Sequence, residues 1–321
     1  MILSVTLNPL LERRFIYEKI LWGKENRNGK EELKAGGKGI NVSRQLNKLG
    51  IDNFSFTFLG GQNGKLLKEL LVKEGIKFSS VRTVHESRNA SVAVSQLPNS
   101  ITTFFSENLP VLKNEAEEFL SKLDKMIQNC ELVIFSGSSP CTETDHIFPE
   151  AIKIAAKYDK ISFCDTYGKH FTDCIEAGPT IIHNNVLETE NSTGRQLDSE
   201  NKIIEYSEFL YSKNVKQIFI TNGKAPSVCS NFNYHYRINN PEIEAVDATG
   251  SGDSFSAGII YSWHNNLSFE ESLIIASSLG VANAISSATS NVGFTEAKLW
   301  NDKIVIEHIG KKMKIIDVTP H

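Results

Sequence analysis

Asp247-Ala-Thr-Gly250-Ser251-Gly252-Asp253 carries the richest chemistry in the chain, and it runs through Ser-Phe-Ser-Ala-Gly258 into the apolar Ile259-Ile-Tyr. Two glycines ahead of a helix make an anion site. They allow backbone conformations closed to other residues and let a phosphate approach the N–H groups. At a helix start those N–H groups are unpaired and the dipole favours negative charge, so a phosphoryl group gaining charge is stabilised there. Asp253 is the odd member, because an acid inside an anion cradle repels the phosphate. One reading makes it the helix N-cap. The other makes it the carboxylate that orients an attacking hydroxyl and accepts its proton during phosphoryl transfer. G-S-G-D is neither G-x-G-x-x-G nor a Walker A loop, so the neighbouring segments have to decide.

A second glycine cluster, Gly36-Gly37-Lys38-Gly39-Ile40-Asn41-Val42-Ser43-Arg44, feeds a helix expected to end near Leu49-Gly50. Gly37 and its neighbours allow a ligand close to the backbone. Lys38 and Asn41 could hold sugar hydroxyls or a phosphate. The bland alternative is a tight turn with a solvated lysine.

The elements that must position these residues alternate between strand-like and helix-like patterns, the signature of right-handed βαβ units around a largely parallel sheet. The fold class is therefore α/β. Residues 131–136 form an apolar run ended by Gly137, as a strand buried on both faces should. Before it, Leu112, Ala116, Phe119, Leu120, Leu123, Met126 and Ile127 recur at three- and four-residue spacing, a core-packing helical stripe. Helices near 147–157 and 199–213 precede strands at 160–164 and 216–221. Residues 91–97 and 101–106 flank Pro98-Asn99-Ser100 like an antiparallel hairpin, which breaks the rhythm and predicts a second, small sheet. Extended pieces within 13–35 would pair with that hairpin as a lid.

The 321 residues, 40% hydrophobic and 22% charged, suit one large core with an appendage. A net charge of -4 argues against a nucleic-acid binder, which needs clustered Lys and Arg. Met1-Ile-Leu-Ser-Val-Thr-Leu reads as a first strand rather than a signal segment, and no apolar run is long enough for a membrane span. Cys130, Cys141, Cys164, Cys174 and Cys229 contain no C-x-x-C pair and suit buried thiols in a reducing cytoplasm. The eight histidines include no H-E-x-x-H pair, so no His-based metal site is expected.

Together the two glycine segments resemble the G-G-K-G-x-N and D-x-x-G-x-G-D signatures of the PfkB (ribokinase-like) carbohydrate kinase family. The resemblance extends from Val5-Thr6-Leu7-Asn8-Pro9 through Asn291-Val292-Gly293. It implies a doubly wound α/β core, a single kinase domain over 1–321, with a small β lid from about 13–35 and 83–107 inserted. Thr-Leu-Asn-Pro, Asn26-Arg27, G-G-K-G-I-N-V-x-R and Ser87-Arg88-Asn89 look like the branch of 1-phosphofructokinase, tagatose-6-phosphate kinase and the minor 6-phosphofructokinase. By that resemblance Asp253 is the base and Gly250, Ser251 and Gly252 form the anion hole. Glu12, Arg27, Gly37, Lys38, Asn41 and Arg88 would contact the sugar or its existing phosphate, for which arginine's planar fork is well suited. Asn185-Val-Leu-Glu188 matches an N-x-x-E element associated with magnesium and phosphate. His183, Thr221, Gly223 and Asn283 fall on the ATP side. ATP and Mg are the expected cofactors. The expected partners are ATP and a ketohexose monophosphate, with a second copy pairing through the lid edge.

Three positions depart from the branch pattern: Glu12 stands where an Asp is usual, His183-Asn184 replaces Lys-Pro, and Pro226 replaces a glycine. They motivate an alternative, a catalytically weak sugar-phosphate or nucleotide sensor of the same fold. A dinucleotide-dependent oxidoreductase would need G-x-G-x-x-G after the first strand, where Asn8-Pro9 stands instead.

Overall fold

The structure, a computed structural model, describes residues 1–310. In chain order the strands are β1 (Ile2–Thr6), β2 (Leu10–Tyr17), β3 (Lys30–Gly36), β4 (Asn53–Gly60), β5 (Phe78–Thr83), β6 (Arg88–Gln96) and β7 (Asn99–Phe105). They continue with β8 (Leu132–Gly137), β9 (Ile161–Thr166), β10 (Ile181–Asn185), β11 (Gln217–Thr221), β12 (Ser227–Asn231), β13 (Tyr234–Asn239) and β14 (Val305–His308). The helices are α1 (Lys38–Lys48), α2 (Gly61–Lys73), α3 (Lys113–Gln128), α4 (Ile147–Lys157) and α5 (Phe171–Glu176). They end with α6 (Val186–Thr193), α7 (Glu200–Ser212), α8 (Ser251–His264), α9 (Phe269–Ala284) and α10 (Phe294–Lys298).

Among the described residues the large sheet runs β14-β13-β12-β11-β10-β9-β8-β1-β4-β5. From β11 to β5 the neighbours are parallel, and β12, β13 and β14 extend the sheet antiparallel. Period-two alternation sends successive residues to opposite faces. In β8, Val133 and Phe135 join the core beneath α3, α4 and α7, while Leu132 and Ile134 join the core beneath α1, α8 and α9. The α3 stripe behaves as its spacing predicts, and Phe119 stacks on Phe56 with ring centroids 4.1 Å apart.

The small sheet has the order β3-β2-β6-β7. Leu11, Ala35 and Ile40 pack with Leu59, Leu67, Leu71 and Ile76, which fastens it to α1, α2 and the end of β4. Its limits differ from the expected ones. β2 begins at Leu10, and its alternation was obscured by buried Glu12 and Arg14 on the inward face. Thr83 belongs to β5 of the large sheet, so the hairpin starts only at Arg88. Gln96 pairs with Asn99, so Leu97-Pro98, joined by a cis peptide bond, forms the whole turn and Asn99 and Ser100 lie in the strand.

Candidate active site

Parallel α/β sheets gather ligand-binding groups at the carboxyl ends of their strands. Here those ends supply Asn8 after β1, Asp165 in β9, His183 and Asn185 in β10, and Thr221 in β11. Two helices opened by glycine, α1 and α8, meet the same edge. The N-cap of α8 is Gly250, at φ 81°, so Asp253 sits one turn inside the helix and the N-cap reading is wrong.

Asp253 is only 5% exposed, and its Oδ2 accepts a 2.7 Å hydrogen bond from Asn41 Nδ2. Burial pushes its carboxyl from 3.8 to about 7; Lys38 and the Asn41 bond pull it down, while Asp165 and Glu188 push it further up. Next to it the Lys38 ammonium lies 3.0 Å from Asp165 Oδ1 and 2.7 Å from Glu188 Oε1. Burial works against that charge, but Asp165 and Glu188 outweigh it and hold the lysine firmly protonated. Asp165 is fully buried, yet the Lys38 charge, with His183 beside it, overcomes the cost of burial and keeps it below its ordinary value. The result is a compact cluster in which one carboxyl, Asp253, titrates near neutrality beside a fixed positive charge.

The turn before α8 is braced from several elements. Asp247 Oδ1 accepts the Thr249 N–H at 2.9 Å, and Asn283 on α9 donates to Thr249 O at 2.9 Å and to Ser251 Oγ at 3.0 Å. Asn283 Oδ1 in turn accepts the Ser290 N–H at 2.7 Å. Asn283, expected on the ATP side, therefore spends its amide on holding the turn. A Cβ at Gly250 would collide with Ser290 and Thr289, and one at Gly252 would lie 3.3 Å from His183 Cε1. Gly250 is a steric requirement, whereas at Gly252 a methyl group would ask only a small shift of His183.

His183 lies beneath this turn, 2% exposed. Its Nδ1 is 2.9 Å from Ser256 Oγ and 3.4 Å from Asp165 Oδ2, and its Nε2 is 3.3 Å from Thr221 Oγ1. Both ring nitrogens have protein partners, so direct contact with a nucleotide would require one to be given up. Gly223, at φ 57°, lies in the turn between β11 and β12. Asn185 and Glu188 form the capping box of α6: Asn185 Oδ1 accepts the Glu188 N–H at 2.8 Å, and Glu188 Oε2 accepts the Asn185 N–H at 3.2 Å. The N-x-x-E element thus has a local structural role as well.

Among the residues expected to contact the sugar, Gly37 takes φ 119° as it leads into α1, and Glu12 and Asn41 line an open cavity of about 440 Å³ with Lys34, Arg44, Thr289 and Asn291; Lys38, Arg88 and Asp253 are not in its lining. Arg88 donates to Asn8 O at 3.2 Å and lies over the Phe105 ring, while its buried Nε lacks a protein partner. Arg27 stays apart. It is exposed on the connection between β2 and β3 and pairs with Glu25, with no bond to the cluster. Sequence reasoning missed Asp165, Ser256 and Arg14. An acid near the carboxyl end of an apolar strand was the available signal for Asp165, and the i, i+2 spacing from Glu12 was the signal for Arg14.

The chain is similar to the 1-phosphofructokinase of Borreliella burgdorferi, 29% identical over 287 residues and covering 89% of this chain and 92% of the relative. It is 26% identical over 323 residues to the tagatose-6-phosphate kinase of Staphylococcus epidermidis, covering 99% and 100%. Among solved structures, a "Possible 1-phosphofructokinase" of Thermotoga maritima superposes with TM-score 0.88 at 23% identity, covering 96% of this chain and 99% of that one. Phosphofructokinase-2 of Escherichia coli in complex with fructose-6-phosphate superposes with TM-score 0.83 at 18% identity, covering 94% and 98%. These two likenesses concern the fold. Residues 11–294 match the pfkB family carbohydrate kinase description, nearly the whole length over which the glycine segments, both sheets and the site are laid out. The chain belongs to the pfkB family of carbohydrate kinases.

Proposed function

We propose that this kinase transfers the γ-phosphoryl group of ATP to a hydroxyl of a ketohexose monophosphate, giving the bisphosphate. Fructose 1-phosphate, tagatose 6-phosphate and fructose 6-phosphate are the candidate acceptors. The observation that carries the reading is Asp253: a carboxyl brought to about 7 beside a glycine-opened helix start and a fixed lysine charge. A general base works best when its pKa lies near the operating pH. Asp253 takes the acceptor hydroxyl's proton, and Asn41 fixes the carboxylate's direction through the 2.7 Å bond. At the start of α8 the Ser251 N–H donates to Ala248 O at 3.1 Å, so the Gly250 and Gly252 amides are the donors that face the charge developing on the transferred group, and Ser251 joins them only by giving up that bond. Arg88, with an unpartnered buried Nε, is the candidate clamp for the phosphate already on the sugar.

Magnesium fits the donor set, since it takes oxygen ligands from one or two carboxylates together with phosphates and water. Glu188, whose side chain is 18% exposed, is the carboxylate with solvent access; its Oε2 accepts the Asn185 N–H at 3.2 Å and its Oε1 faces Lys38 at 2.7 Å, so the ion would share or displace one of these partners. When bound, the ion neutralises charge on the ATP phosphates. The same reading includes a homodimer through the small sheet, supported by exposed Phe104 and Phe105 on the edge strand β7 and exposed Leu97 before it.

A coupled ATP assay across the three ketohexose monophosphates tests the function. Turnover with at least one, well above that with free fructose or tagatose, is expected. Tight binding of ATP and sugar phosphate without turnover would instead assign the sensor role.

A further inference from the structure

Glu12 and Arg14 are two residues apart on β2 and so share one face of the small sheet. Both are buried, at 8% and 4% exposure. Arg14 Nη2 donates to Asp247 Oδ2 at 2.6 Å, and Nη1 reaches Glu12 Oε2 at 3.5 Å. Asp247 uses its other oxygen to accept the Thr249 N–H, one residue before Gly250. On the neighbouring strand β3, Lys34 donates to Ser287 O at 3.2 Å, in the connection that follows α9 and leads to Ser290. Two cations of the small sheet thus grip the two segments that shape the anion-hole turn.

A buried ion pair is weak support for stability, since well-packed apolar residues often serve as well or better. Its use has to be sought in what it fixes. The planar guanidinium can hold two carboxylates in set directions, which a lysine point charge cannot. On the phosphoryl-transfer reading the two carboxylates belong to different parts of the reaction: Glu12 lines a cavity together with Asn41, the hydrogen-bond partner of Asp253, and Asp247 sets the turn whose amides meet the phosphoryl group.

Resting on the phosphoryl-transfer reading, we propose that Arg14 is a positioning residue that locks Asp247, and through it the Thr249–Gly250 turn, in register with Glu12 on the acceptor side. It touches neither substrate. Its removal leaves two buried carboxylates without their cation and lets the turn shift relative to the sugar. A misplacement of about 1 Å typically costs about 10²-fold in rate.

The test compares wild type with Arg14→Met, Arg14→Lys, Asp247→Asn and the Arg14→Met/Asp247→Asn double variant. The readouts are kcat, both KM values, melting temperature, and the amide resonances of Gly250 and Gly252. Arg14→Met should lower kcat by about 10- to 100-fold with the KM for ATP changed by no more than about threefold, and Arg14→Lys should lose less. The Gly250 and Gly252 resonances should move in Arg14→Met and in Asp247→Asn, while that of Gly194, at the end of α6, stays in place. Because the two residues act as one unit, the double variant should be no slower than Arg14→Met alone. A fall in melting temperature with kcat and both resonances unchanged, or independent and additive losses, would overturn the proposal. Should Arg14→Met not fold, Arg14→Lys and Asp247→Asn decide on the same readouts. Failure of wild type to phosphorylate any sugar phosphate would instead overturn the transfer reading, and the role of Arg14 with it, before any variant is compared.

Discussion

Asp253 has to be charged to accept a proton, while burial favours its neutral form. With its pKa at about 7 in the free enzyme, kcat/KM for the sugar phosphate should rise with pH through neutrality and level off above it. The same shift has an opposite effect on stability. A carboxyl raised from 3.8 to about 7 contributes stability that is complete below 3.8 and is lost as pH rises through 7. Asp253→Asn, neutral throughout, should therefore melt above wild type at pH 8, with the gap opening between about pH 4 and 7 and constant beyond. Melting curves that coincide at both ends of that range would contradict the burial argument. Asp253 and Asn41 were legible in the sequence because a motif carries them. The bond between them was not, since 212 residues separate the pair. Asp165 escaped because a single acid closing an apolar strand has no spacing to betray it.

At the scale of elements, the two glycine-opened helices were legible from their turns, and what braces those turns was not. Asn283 on α9 and Ser290 beyond it reach the α8 turn from elsewhere in the chain, and Asp247 braces Thr249 from two residues upstream. Gly250→Ala forces an L side chain into φ 81° and against Ser290 and Thr289, so stability should fall by at least about 1–2 kcal/mol. Chemical denaturation at fixed slope checks it. Gly252→Val acts differently. Its φ is ordinary, but the side chain would press on His183 and crowd the amides that meet the phosphoryl group. Turnover per folded molecule should drop by about 10²- to 10³-fold, with ATP affinity changed far less. An intact rate in a merely destabilised protein would make the turn structural only. The small sheet was harder to delimit, because buried Glu12 and Arg14 look like surface charges in a strand pattern and hid its first turn of alternation.

For the molecule as a whole, the wound sheet and its helices followed from periodicity, whereas in the antiparallel extension β12 and β13 pair with their chain neighbours and β14 joins β13 from far along the chain. Arg88, on the small sheet, faces the carboxyl edge of the large one through Asn8. If it clamps the acceptor phosphate, Arg88→Ala should raise KM for the sugar phosphate by about ten- to hundred-fold, corresponding to about 1.5–3 kcal/mol, while KM for ATP and the slow use of free sugars change little. Equal losses for phosphorylated and free sugars would move the phosphate elsewhere. Phe104→Asp should shift the mass in solution from two chains to one if the edge of β7 is the dimer surface; an unchanged mass would place the contact, if any, on another face. The central claim is that Asp253 takes the proton as ATP phosphorylates a ketohexose monophosphate. Single-turnover transfer of a labelled γ-phosphoryl group to the best of the three sugars, in wild type and in Asp253→Asn, tests it most directly. Bisphosphate should form in wild type and slow by about 10²- to 10⁴-fold in the variant with ATP still bound; label appearing on the sugar at the same rate in both would contradict it.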